Sequence, residues 1–103
     1  MKVQLHTDNH IQGDEALAQR VEQIVIGALG RFNGKLGRVE VHLSDVNGGK
    51  SGSRDKHCTM EARVDGLPPM AASDEAESVA VAISGAAKKL ERVLDSSLGK
   101  LAR

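Results

Sequence analysis

Two runs of strict alternation constrain this chain more than any other feature. GRVEVHLS (Gly37–Ser44) places Val39, Val41 and Leu43 on one side and Arg38, Glu40 and His42 on the other. KHCTMEARV (Lys56–Val64) repeats the pattern, with Cys58, Met60, Ala62 and Val64 opposed by His57, Thr59, Glu61 and Arg63. Successive strand side chains point to opposite faces, so each run is a strand with one face toward a core and one toward water. Joined by Asp45–Asp55, the two pair as a hairpin. One register sets His42 opposite His57 and Arg38 opposite Glu61, matching apolar to apolar and opposing unlike charges.

The flanking segments complete the pattern. KVQLHT (Lys2–Thr7) alternates around Val3 and Leu5 and reads as another strand. From about Asp14 to Leu29 the spacing is helical, with Leu17, Val21, Ile24, Ala28 and Phe32 on one face. Asp14 and Glu15 suit the positive end of the helix dipole, and Gly30 with Asn33–Gly34 marks its end. After the turn DGLPP, Met70–Ser73 reads as a short strand that its prolines assign to a sheet edge. A long helix follows from about Glu77, its stripe marked by Val79, Ile83, Ala86, Leu90, Val93 and Leu94, with Leu101 in line. Asp74, Glu75 and Glu77 sit near its start and Lys88, Lys89 and Arg92 later, the order the dipole favours. The reading is an α+β fold, β-α-β-β-β-α, with one four-stranded sheet carrying both helices on one face. Its 103 residues make a single domain, 1–103.

Composition narrows the function. Phe32 is the only aromatic residue, so no platform for stacking bases can be built. Fourteen basic and fourteen acidic residues cancel, so a nucleic-acid role needs a local patch. Cys58 stands alone, which rules out an internal disulfide and suits a reducing cytoplasmic setting. No apolar run approaches the roughly 20 residues of a membrane span, so no membrane partner is expected.

Candidate chemical sites fare poorly. NGGKSGSRD (Asn47–Asp55) puts Lys50 and Ser51 after two glycines, as a phosphate loop does. Ser44 stands where that motif needs its first glycine, and a strand follows where a helix must open. The segment is a hairpin connection. His42 and His57 are neighbours in the register above, with Glu40 the nearby carboxylate; two imidazoles without a third ligand make a poor zinc site. Cys58 lies on the apolar side, as a core thiol does. No nucleophile–base spacing stands out, so no enzyme, cofactor, metal or small-molecule substrate is expected. What remains is charge. Arg31, Lys35 and Arg38 lie in a stretch without acids, and Lys88, Lys89, Arg92, Lys100 and Arg103 outnumber Glu91 and Asp95 in the last helix and tail. These are candidate phosphate contacts.

The element order, the segment RVEVHLS and above all KKLERVL (Lys88–Leu94) resemble the ribosome hibernation-promoting factors, also called protein Y, ribosomal subunit interface protein or sigma-54 modulation protein. The family's K-L-E-R-x-L segment is matched by Lys89, Leu90, Glu91, Arg92 and Leu94. The resemblance implies a double-stranded-RNA-binding-like sheet with two helices running in parallel. It implies binding to the small ribosomal subunit through ribosomal RNA phosphates, blocking translation by occupancy in stress or stationary phase. The expected RNA contacts are Lys88, Lys89, Arg92 and Arg31, with Lys35, Arg38 and Lys100 at the rim and Lys50, Arg54 and Lys56 from the loop. A short form, without a C-terminal dimerisation domain and monomeric off the ribosome, is expected. This chain departs from the family in having Gly27 and Gly30 where relatives carry first-helix lysines, Asp8 or Asn9 for a lysine after the first strand, and Asp95, Ser96 and Ser97 for a lysine-rich turn. Val79 and Ala80 replace aromatic residues near the start of the last helix. Each lost cation removes a phosphate contact. The competing reading is therefore a protein-interaction module of the same fold that has lost strong RNA binding.

Overall fold

The computed structural model describes residues 1–46 and 55–101, with side chains as far as Leu98. The elements are β1 (Lys2–Thr7), α1 (Glu15–Leu29), a 3-10 segment (Gly30–Lys35), β2 (Leu36–Asp45), β3 (Lys56–Val64), β4 (Met70–Ala76) and α2 (Val79–Leu101). One mixed sheet has the strand order β1-β2-β3-β4. β1 is parallel to β2, a pairing that needs a crossover, and α1 supplies it. The other neighbours are antiparallel. β1, β2 and β4 thus point one way, and each helix returns the chain from the end of β1 or β4. The helices therefore run in the same direction. The α+β class and the element order are those expected, and β4 is an edge strand.

The β2–β3 alternation holds, but the register differs from the one expected. Glu40 lies opposite Glu61, Arg38 opposite Arg63, His42 opposite Thr59 and Ser44 opposite His57. A slip of two residues keeps every side chain on its own face, so the apolar pattern cannot choose between these registers. Like charges directly opposite are relieved within each strand: Arg38 Nη2 lies 3.4 Å from Glu40 Oε2, and Arg63 Nε 3.2 Å from Glu61 Oε1. The pairing also breaks stride between Leu36 and Arg38. The extra residue, Gly37, lets both Leu36 and Val39 face the core although they are three apart.

The helix stripes are offset from the sequence reading. In α1 the fully buried residues are Val21, Val25 and Leu29, followed by Phe32; Ile24 and Ala28 are only half-buried. In α2 they are Ala82, Ile83, Ala86, Leu90 and Leu94, with Ala87 and Leu98 almost covered. Val93, expected inside, is 36% exposed. Gly30 does not end α1 in a left-handed conformation; its φ is −59° and the chain continues as the 3-10 turn that carries Phe32 under the core. Asp14 caps α1, accepting from the Leu17 N–H at 2.9 Å, and Ser78 caps α2, accepting from the Val81 N–H at 3.2 Å. Asp74 and Glu75 are not at the helix start but on β4, which runs three residues further than expected to Ala76. The first turn of α2 therefore has no acid. At the next corner Gly66 has φ 81°, and the Leu67 N–H donates to the Val64 carbonyl. Only glycine adopts that conformation without strain.

The core is aliphatic: Val21, Val25 and Leu29 from α1, Val39, Val41, Cys58 and Met60 from the sheet, and Ile83, Leu90 and Leu94 from α2. Burial pushes the Cys58 thiol up to about 12, as an inert core thiol requires. At the loop end of the β2–β3 hairpin Lys56 Nζ bridges two buried carboxylates, Asp45 at 3.3 Å and Asp55 at 3.1 Å. Asp8 Oδ2 accepts from the Asp45 N–H at 2.9 Å and ties this corner to β1. No described helix is long and apolar enough to cross a membrane.

Candidate nucleic-acid interface

Helical geometry decides which bases of α2 face outward. Ala86, Leu90 and Leu94 occupy the buried stripe, so Lys88, Lys89 and Arg92 lie on the opposite side, and all three are exposed. Four residues apart, Lys88 and Arg92 share one ridge. Lys88 borders a groove between the helices, with Ile24, Gly27 and Ala28 of α1 facing Ser84, Ala87 and Glu91 of α2. Small residues on both sides let the helices approach and leave the groove shallow. Lys89 leans the other way, toward the sheet edge. Its ammonium is 3.0 Å from Asp74 Oδ1 and donates to the Ser73 carbonyl at 3.3 Å.

Arg31 joins this surface from the 3-10 turn after α1. Its guanidinium lies over the Phe32 ring at 4.5 Å and reaches α2, with Nη1 3.3 Å from Asp95 and Nε 3.9 Å from Glu91. Two of the four expected central contacts, Arg31 and Lys89, are therefore already engaged by carboxylates. Lys88 and Arg92 are in no ion pair among the described residues. Arg31 also neutralises the two acids that flank Arg92 on α2.

The rim residues do not converge on this surface. Arg38 is on the sheet face away from the helices, paired with Glu40. Lys35 is exposed at the end of the 3-10 turn, near the Asp65–Leu67 corner. Lys56 is held between Asp45 and Asp55, and the hydrogen bond to Asp55 is the chief cause of its raised pKa. Its charge is used inside the fold. Lys50 and Arg54 lie outside the described residues, as does the side chain of Lys100. One cation the sequence reading missed is Arg20, which borders the upper groove with Ile24, Ala80 and Ser84. Its spacing was visible: 20, 24, 27 and 31 fall on one helical ridge, but the ridge is defined only once α2 lies beside it.

The proposed His42–His57 neighbourhood does not form. His57 lies opposite Ser44 and its Nδ1 is 3.9 Å from Glu75, while the ring stacked on His42 is that of His6.

A four-stranded mixed sheet with two parallel helices on one face, and a shallow groove between them bordered by Arg20, Lys88 and Glu91, defines a small α+β domain. Residues 4–102 match the family described as Sigma 54 modulation protein / S30EA ribosomal protein, and the chain belongs to that family of ribosome-associated factors. Two solved structures share the fold. A ribosomal subunit interface protein from Coxiella burnetii superimposes with a TM-score of 0.76 at 14% identity, over 96% of this chain and 99% of that one. The Protein Y N-terminal domain of Thermus thermophilus gives 0.75 at 18% identity, over 94% and 99%. No curated protein matches the chain in sequence.

Proposed function

We propose that this protein binds the small ribosomal subunit through ribosomal RNA phosphates and inhibits translation by occupancy under stress. The observation that carries the reading is the outer face of α2 in a chain of this family. Lys88 and Arg92 project from one ridge, beside the interhelical groove, without a carboxylate partner among the described residues. A cation with no carboxylate partner gives up no ion pair when it turns to a phosphate, and each phosphate neutralised releases counterions. Arg31, Lys89 and Arg20 form an outer ring, whose contribution requires exchanging an existing carboxylate for a phosphate or reaching across the groove. Lys35 and Lys100 are peripheral contacts, as are the loop residues Lys50 and Arg54, whereas Arg38, on the far face of the sheet and paired with Glu40, is outside this surface.

Co-sedimentation with purified small subunits at low and moderate salt tests the reading. Binding that weakens with salt is expected; no binding at low salt refutes it. The engagement of Arg31 and Lys89 by carboxylates favours one alternative, a protein-interaction module of the same fold. In that case partners recovered with the protein are unchanged by nuclease treatment.

A further inference from the structure

On the sheet face away from the helices, β1 and β2 bring together two imidazoles and a carboxylate. His6 and His42 are direct partners in the parallel register, and Glu40 lies two residues before His42 on the same face. The rings are stacked with centroids 4.6 Å apart and an interplanar angle of 12°. His6 Nε2 lies 3.2 Å from Glu40 Oε1, and one ligand atom from each of the three residues falls within 4.8 Å of the others. We infer that His6, His42 and Glu40 form a binding site for a borderline divalent metal ion of the zinc class.

Three arguments support it. The donor set of two neutral imidazoles and one carboxylate is one that zinc and its neighbours prefer over hard, oxygen-only sites. One edge of the site already has the spacing of a bound state, while the His42 ring, stacked on His6 at 12°, must turn out of the stack to aim its lone pair at the same ion. Tetrahedral zinc with bonds of about 2.1 Å places its ligand atoms about 3.4 Å apart, and the His6–Glu40 separation already meets this. The His42 ligand atom lies within 4.8 Å of the other two on an exposed ring, and the paired strands hold the three side chains on adjoining positions of one face. Finally, the carboxylate is supported from behind: Arg38 Nη2 holds the other oxygen, Glu40 Oε2, at 3.4 Å. That leaves Oε1 directed at His6, as an outer-shell partner does for a ligating carboxylate. The remaining coordination position opens to solvent from the sheet face. His10 and His57 are outside the site, each beside a single carboxylate, Asp8 and Glu75.

The test is a zinc titration of the chelator-stripped chain, read by calorimetry and by the NMR signals of the histidine rings. Saturable binding of one ion is expected, with the His6 and His42 signals shifting together and those of His10 and His57 unmoved. His6→Gln, His42→Gln and Glu40→Gln each weaken binding by about tenfold or more, while His57→Gln leaves it unchanged. Absent or non-saturating binding overturns the site, as do equal shifts at His10 and His57. Full affinity in His6→Gln or His42→Gln overturns it as well. The wild-type ring signals decide the question even if a variant fails to fold.

Discussion

Replacing Glu91 with Gln and Asp95 with Asn together should strengthen binding to the small subunit. In the folded protein these two carboxylates share Arg31, at 3.9 and 3.3 Å. Both replacements keep side-chain shape but remove the charge that holds the guanidinium. The ion pairs are exposed, so their loss costs little stability, about 0–1 kcal/mol each. Arg31 is then free to take a phosphate beside Lys88 and Arg92. One more neutralised phosphate steepens the plot of log affinity against log salt by roughly 0.7–0.9. The opposite variant, Lys88→Ala with Arg92→Ala, removes two cations of the α2 ridge and flattens the slope by about 1.4–1.8 on the same scale. The assay is equilibrium binding of labelled protein to purified small subunits across about 50–200 mM salt. If the acid-neutralised variant binds no more tightly and with an unchanged slope, Arg31 does not face RNA. If the Lys88/Arg92 variant also keeps the wild-type slope, the α2 ridge is not the contact surface.

Three further outcomes follow from the fold. Gly85→Ala should destabilise the protein by about 1–3 kcal/mol, because a β-carbon there runs into the Asp74 carboxylate. In urea unfolding the Asp74→Ala/Gly85→Ala double variant should lose less than the sum of the single losses, and strict additivity would show that the clash is not the cause. The backbone N–H of Asp45 holds the Asp8 carboxyl below its usual range. Its contribution is therefore complete above the ordinary aspartate value of about 3.9 and lost as pH falls through the lower folded value. Asp8→Asn should be most destabilising near neutral pH, with the gap to wild type closing on acidification; a constant gap contradicts this. Cys58, buried and with its thiol pushed up to about 12, should resist alkylation at neutral pH until denaturant unfolds the chain. Rapid labelling of the native protein would place the thiol outside the core.

The secondary structure was largely legible because it depends on local periodicity. The alternation of Val39, Val41 and Leu43 against Arg38, Glu40 and His42 fixed which face of β2 is buried, and Cys58, Met60 and Ala62 did the same for β3. The start of α1 at Asp14 and the turn at Gly66 are likewise local chemistry, whereas the Ser78 cap of α2 was not among the expectations. Helix faces were legible only to within one residue: of Leu17, Val21, Ile24 and Ala28, which have helical spacing, only Val21 is fully buried, and Val25 and Leu29 join it in place of the others. A wide apolar arc permits more than one centre, and the neighbouring helix selects it.

The sequence by itself determined the element order, the sheet faces and the clustering of bases in α2, since each is written in spacing along the chain. Tertiary structure alone decided what the charges do. It set Arg31 against Glu91 and Asp95, Lys89 against Asp74 and Lys56 between two buried acids, while Lys88 and Arg92 have no ion pair among the described residues. It also placed His6 on His42, through a parallel pairing of residues 36 apart in sequence that no local pattern specifies. Charges and ligands act through space, and distance in space is settled by strand order, register and helix packing.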